Sequence, residues 1–170
     1  RPSPHVMHTP FQPSEQVWAT LEAMNEASHR GQPFFFILDF ELQEGVFVLE
    51  PLQHHDGSLF FDFPTAKTPD PIGSKGKLTL TPSPEAPERY DERFDIIHRG
   101  LMRGDSFLTN LTIRTPIETE ASLADIYLSS EATYRVLLPG RFVSFSPECF
   151  VKLQGDELAT HPMKGTIDAR

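Results

Sequence analysis

Residues 33–63, PFFFILDFELQEGVFVLEPLQHHDGSLFFDF, determine the fold class of this chain. The apolar run from Pro33 to Phe40 has the length of a strand and no polar face, which is typical of a strand that is buried on both sides. Glu44-Gly45 and Asp56-Gly57 are turn signals, and each precedes another apolar run, at 46–49 and at 59–63. This succession predicts consecutive antiparallel strands.

Three segments outside this stretch have the apolar spacing of helices. The first runs from Ser14, a capping residue, to Arg30, and we expect its apolar stripe to face a sheet: Val17, Trp18, Leu21, Met24. The second covers 88–103 and stops at Gly104, with one apolar face: Tyr90, Phe94, Ile97, Leu101. The third covers 123–130. Further short strands are predicted at 78–80, 106–115, 134–138, 141–146, 150–154 and 157–160.

Helices inserted between groups of antiparallel strands predict an α+β (mixed α/β) class, with largely antiparallel sheets and helices packed outside. A length of 170 residues favours one domain. Residues 1–13 are polar and proline-rich, and we expect them to be disordered or extended. Residues 14–170 are expected to form the domain, with a proline-rich excursion over its surface at about 64–88.

Composition restricts the partners and the compartment. The formal net charge of -9 argues against nucleic acid and against an anionic membrane, although an anionic small molecule stays open. The single cysteine, Cys149, cannot form an intramolecular disulfide, and no apolar run has the length of a membrane span. We therefore expect a cytoplasmic protein with no membrane partner. The chain contains no Walker loop, Rossmann glycine fingerprint or zinc motif.

Three short segments stand out by their order along the chain. They are Gly104–Thr112 (GDSFLTNLT), Ser146–Phe150 (SPECF) and Thr160–Thr166 (THPMKGT). A Gly-Asp pair that ends a helix and a Ser-Pro turn are each common for structural reasons. Together and in this order, the segments resemble those of the chorismate-binding enzyme family, from about Phe34 to the end of the chain.

The resemblance implies a partial anthranilate-synthase-like fold, incomplete because the family's second half follows the third segment. Two positions depart from the family pattern. Cys149 stands where the family usually has arginine, which removes an ionic role there. Met163 stands where isoleucine is commoner, and this exchange conserves volume and hydrophobicity.

Lys164 makes the chain resemble one branch of the family more than the others. Anthranilate- and isochorismate-type enzymes have alanine before the Gly-Thr pair, whereas aminodeoxychorismate (para-aminobenzoate) synthases tend to have lysine. The resemblance implies component I of such a synthase, a transferase that makes 4-amino-4-deoxychorismate for folate biosynthesis from chorismate and ammonia, the latter supplied by a glutamine amidotransferase subunit. Lys164 is then the nucleophile that attacks the chorismate ring and expels the 4-hydroxyl.

The chemistry sets a requirement on this lysine. A free lysine titrates near ~10.4, so its pKa must be lowered for the amine to be a nucleophile at neutral pH, by burial or by another cation. A depression of about three units corresponds to roughly 4 kcal/mol. Gly165 would let the backbone approach the substrate, and Thr166 would offer its hydroxyl and N–H to a carboxylate.

Other residues of the three segments are interpreted differently. Asn110, Ser146 and Glu148 are interpreted as structural, fixing a loop or a strand end. The family also uses Mg²⁺ held by glutamates of its second half, so no metal ligand is expected in this chain. The 170-residue chain alone is expected neither to catalyse the reaction nor to bind chorismate tightly, and its exposed sheet edges favour a homodimer.

Two alternatives stay open. One is an anthranilate- or isochorismate-type activity on the same scaffold, which product analysis would distinguish. The other is a non-catalytic binding or interaction domain, which would lack the metal-binding glutamates in any longer gene product.

Overall fold

The computed structural model describes residues 12–53, 56–146 and 149–161. The order of its elements is α1 (Glu15–His29), β1 (Phe34–Leu38), β2 (Gly45–Leu49), β3 (Phe60–Phe63), β4 (Ala66–Lys67), β5 (Thr81–Pro82), α2 (Pro87–Arg103), β6 (Ile117–Glu118), α3 (Leu123–Ser129), β7 (Tyr134–Leu138), β8 (Phe142–Ser146), β9 (Val151–Gln154) and β10 (Glu157–Thr160). Every strand pair in these ranges is antiparallel. The predicted α+β class with antiparallel sheets is therefore confirmed.

The central sheet has four strands in the order β4-β3-β7-β8. Its buried core consists of Leu59, Phe61 and Leu138. The β1–β2 hairpin lies on this core through the side chains of one face, including Phe35, whose ring stacks on that of Phe61 with centroids 5.3 Å apart. Burial of each such large apolar side chain contributes about 1.5–3 kcal/mol.

Helix α1 packs on the opposite face of the same hairpin. Its start is capped as predicted, because the N–H of Val17 donates to Ser14 Oγ at 3.2 Å. The helix comes close to the hairpin at Gly45, where a Cβ would lie 2.5 Å from Thr20 Oγ1. The hairpin is thus sandwiched between α1 and the central sheet. The predicted stripe is partly wrong: the buried residues include Thr20 and Ala27, whereas Trp18 is 55% exposed.

Helix α3 packs against β7 and β8 and anchors the preceding loop. Ser122 and Asp125 form a reciprocal capping box at its start. Asp125 also accepts a hydrogen bond from the N–H of Ser74 at 2.6 Å. This bond, followed by those from Ser122, lowers the pKa of Asp125. The N–H of Gly76 also donates to Ser129 Oγ at 3.1 Å, so the helix holds a loop 51 to 53 positions upstream through two of its side chains, while its own Tyr127 is buried.

Helix α2 has the extent expected from the sequence. It ends at Gly104, which adopts the left-handed conformation with φ 83°. None of its residues is buried, and in the described part of the chain it packs against no other helix or strand.

Four expectations about strands are corrected. β1 is not buried on both sides, since Phe36 is 46% exposed. β2 and β3 are not neighbours, because β3 pairs with β4 and β7. The segments 78–80 and 106–115 are not strands. At the start of the latter, the Ser106 hydroxyl bonds locally to Leu108, which competes with extended pairing.

The predicted domain limits stay predictions. Of the N-terminal residues 1–13, only Gln12 and Pro13 are described, and they have no regular secondary structure. In the described ranges, the helices are too short or too polar to cross a membrane.

Candidate functional site

The second and third sequence segments meet in the structure. β8 ends at Ser146, and β9 and β10 then form a hairpin that turns at Gly155 and places Val151 opposite Thr160. The hairpin continues beyond its strands, because the N–H of His161 donates to the carbonyl of Phe150 at 3.4 Å. The end of SPECF and the start of THPMKGT therefore lie side by side.

Several predicted site residues lie outside the described residues. These are the predicted nucleophile Lys164, the predicted substrate-binding residues Gly165 and Thr166, and Glu148. Ser146 is described at the end of β8, opposite Tyr134 of β7. Its structural role, like the chemical role of Lys164, stays a prediction.

The first segment is a helix terminus followed by an exposed loop. The N–H of Asp105 donates to the carbonyl of Gly100 at 3.0 Å, and the Asp105 carboxylate accepts from Arg103 Nη2 at 2.6 Å. These bonds close the last turn of α2. Asn110 is exposed, and within the described residues no hydrogen bond joins it to the other two segments. The structure thus brings together two of the three segments.

Cys149, which departs from the family pattern, links the second segment to neighbouring strands. Its thiol donates to the carbonyl of Val151 at 3.3 Å. Desolvation, and then the hydrogen bond with Cys149, raise the pKa of the Tyr134 hydroxyl. Cys149 therefore contacts a residue of β7 through uncharged groups, whereas an arginine would bring a positive charge there.

Sequence reasoning missed a charged cluster on the central sheet. Asp62 of β3 pairs with Arg135 of β7, and Lys67 Nζ lies 3.2 Å from Asp62 Oδ2 and 3.1 Å from Asp70 Oδ1. Desolvation would raise the pKa of Asp62, but the hydrogen bonds and charges of Lys67 and Arg135 outweigh it and lower that pKa. The hydrogen bonds that Lys67 donates to Asp70 and Asp62 raise the pKa of Lys67.

The same arginine also supports α3. Arg135 Nη1 donates to the carbonyl of Ser130 at 2.6 Å, and the guanidinium lies 5.2 Å from the ring centroid of Tyr127. Each carboxylate of the cluster is satisfied by a cation of the cluster, so the arrangement fixes strands and a helix rather than presenting charges to a ligand. The sequence signal was one acidic and one basic residue, each inside an otherwise apolar strand.

Other features of the described surface do not extend this site. A groove of about 550 Å³ between the loop at 74–81 and residues 118–121 is lined by Lys77, Thr119 and Asp125, and no residue of the β9–β10 hairpin lines it. In the described residues, no group of three or more His, Cys, Asp or Glu side chains is placed to hold a metal ion.

Comparisons with known proteins support the family resemblance that the order of the three segments indicated. The family described as chorismate binding enzyme matches residues 50–170. An uncharacterised PabA-like protein of Pasteurella multocida (strain Pm70) is 35% identical over 156 residues, 89% of this chain and 47% of that protein. An uncharacterised PabA-like protein of Haemophilus influenzae (strain ATCC 51907 / DSM 11121 / KW20 / Rd) is 34% identical over 154 residues, 86% of this chain and 45% of that protein.

The chain spans about half the length of the curated relatives it matches. No solved structure matches it. The family match covers all three segments and the four strands of the central sheet. This chain therefore belongs to the family of chorismate binding enzymes.

Proposed function

We propose that this chain is part of component I of an aminodeoxychorismate synthase, which converts chorismate and ammonia into 4-amino-4-deoxychorismate in the cytoplasm, for para-aminobenzoate and folate biosynthesis. The observation that carries the proposal is Lys164 in the segment THPMKGT of a chorismate binding enzyme. The hairpin β9–β10 supports it, because it holds the start of this segment against the end of SPECF.

The proposed reaction has two covalent steps. In the first, the neutral amine of Lys164 forms a C–N bond to the chorismate ring, the C–O bond to the 4-hydroxyl breaks, and the hydroxyl leaves with an amine proton as water. In the second, ammonia forms a new C–N bond to the ring and the bond to Lys164 breaks, which regenerates the amine. Gly165 and Thr166 are proposed to contact the substrate, the latter through its hydroxyl and N–H.

The proposal includes partners and a metal ion outside this chain. A glutamine amidotransferase subunit would supply the ammonia, in line with the PabA-like names of the two relatives. Mg²⁺ would be held by glutamates elsewhere in the longer protein. A homodimer through sheet edges is a further proposal, for which β8 lies at an edge of the described four-stranded sheet.

The test uses a full-length chimera, in which this chain replaces the matched 47% of the Pasteurella multocida relative. The chimera is incubated with chorismate, Mg²⁺ and ammonium, and products are separated by liquid chromatography. We expect 4-amino-4-deoxychorismate, lost in Lys164→Ala and retained in the control Lys152→Ala, an exposed lysine of β9. Anthranilate or isochorismate as the product would support the alternative activity, and no turnover would favour a non-catalytic domain.

A further inference from the structure

Helix α2 carries an apolar face that the described residues leave uncovered. Tyr90, Phe94 and His98 stack along it with centroids 6.4 and 5.9 Å apart. Ile97 and Leu101 follow on the same face at helical spacing. Tyr90 and Phe94 are 44% and 48% exposed, although side chains of this kind are normally the buried side of an amphipathic helix.

The size of this face restricts what can cover it. A helix of 17 residues is roughly 25 Å long, so a stripe about 10 Å wide presents about 250 Å². A stable interface between separate molecules needs about 800 Å² on each partner. The face alone is too small for a second copy or for a separate protein. A covalently attached segment can use it, because its binding is intramolecular.

The length of the relatives indicates that this segment is large. Both curated relatives are about twice as long as the part that this chain matches. A continuation of that length is large enough to bury much more than the α2 face.

We propose that the apolar face of α2 is the docking surface for the polypeptide that the relatives carry outside the matched region, within one continuous chain. The charges of α2 are compatible with this arrangement. By helical spacing, Glu92 and Arg99 lie on the side of the helix opposite Phe94, so docking leaves them in solvent. Asp91 lies at the edge of the face beside His98, where its carboxylate can also stay in solvent. The inference concerns packing and does not depend on the proposed reaction.

Hydrogen exchange measured by mass spectrometry on residues 87–103 tests the proposal. The 170-residue chain is compared with the full-length chimera. We expect the amides of α2 to exchange at least about tenfold more slowly in the chimera, since docking must be overcome before they open. If this chimera is insoluble, the comparison is repeated with a chimera in which this chain replaces the matched 45% of the Haemophilus influenzae relative.

Two adjacent isoleucines provide a matched pair of variants. Ile97 lies on the apolar face, whereas Ile96 lies on the other side of the helix and is 63% exposed. In the chimera, Ile97→Asp should restore fast exchange and Ile96→Asp should not. In the 170-residue chain, both variants should behave like the parent. The Lys164→Ala chimera should keep the slow exchange, which separates this test from that of the reaction.

Three results would overturn the proposal. The first is equal exchange of α2 in the chimera and in the 170-residue chain. The second is an equal effect of Ile97→Asp and Ile96→Asp in the chimera. The third is protection of α2 in the 170-residue chain that grows with its concentration, because a second copy would then cover the face.

Discussion

Asp62 of β3 lies directly opposite Arg135 of β7, and the two side chains form an ion pair between strands that are otherwise largely apolar. Their side chains are only 22% and 17% exposed. A slip of one residue in this register would separate the pair and turn the apolar side chains of β3 to the other face of the sheet. The pair therefore fixes the register of β3 against β7. β7 in turn pairs with β8, at whose end the SPECF segment begins.

Removal of the arginine should destabilise the fold. Arg135→Met leaves the partly buried Asp62 with Lys67 as its remaining partner and removes the hydrogen bond to the carbonyl of Ser130, and we expect a loss of about 3 kcal/mol in the free energy of unfolding. Urea titration followed by circular dichroism measures this loss. The control is Arg141→Met, which removes the exposed pair between Arg141 and Glu44 and should cost about 0–1 kcal/mol. Equal losses in the two variants would show that the ion pair in the sheet contributes no more to stability than the exposed pair.

Tyr127 should make the stability of the protein fall at alkaline pH. Burial raises its pKa to about 12 from the ordinary 10. Between these values the unfolded chain releases the phenolic proton while the folded chain retains it, so stability decreases as pH rises. This difference amounts to at most about 3 kcal/mol.

Tyr127→Phe should abolish that part of the alkaline loss. The Tyr127 hydroxyl is buried without a hydrogen-bond partner in the described residues, so its removal should change stability at neutral pH by less than about 1 kcal/mol. The raised pKa of Lys67 also weakens the fold above its ordinary value of 10.5, but it does so in both proteins and cancels in the comparison. Urea titrations at pH 7 and pH 11 measure the effect, and an unchanged alkaline slope would contradict it.

A side chain at position 45 should destabilise the protein. Gly45→Ala places a methyl group against Thr20 of α1, which is itself buried, and we expect a cost of about 1–3 kcal/mol. Gly76→Ala is the matched control, because nothing lies within 4 Å of the position of its Cβ. Thermal unfolding of both variants gives the comparison. An unchanged melting temperature for Gly45→Ala would mean that α1 does not pack closely against the hairpin at this position.

The features that the sequence predicted correctly depend on residues that lie close together in the chain. The cap at Ser14, the end of α2 at Gly104 and the strand 134–138 are all encoded within a few positions. The errors concern partners that are remote in the chain. Strand formation at 106–115 would require a neighbour that no local pattern supplies, and the pairing of Asp62 with Arg135 joins positions 73 residues apart.

The same distinction between local and remote features holds for the candidate site. Order and spacing identified the segments that contain Ser146 and Lys164, because family motifs are contiguous. The hydrogen bond between His161 and Phe150, which brings two of these segments together, follows from the register of β9 and β10. That register depends on the turn at Gly155 and could be expected only once both strands were placed.

Lys164 is proposed to be a covalent nucleophile, and intact mass spectrometry detects the covalent intermediate itself. The full-length chimera is incubated with chorismate and Mg²⁺ without ammonia, beside its Lys164→Ala and Lys152→Ala variants. We expect an adduct with the mass of chorismate less one water in the parent and in Lys152→Ala, and none in Lys164→Ala. An adduct that persists in Lys164→Ala, or product formation with no adduct in any of the three, would show that Lys164 is not the nucleophile.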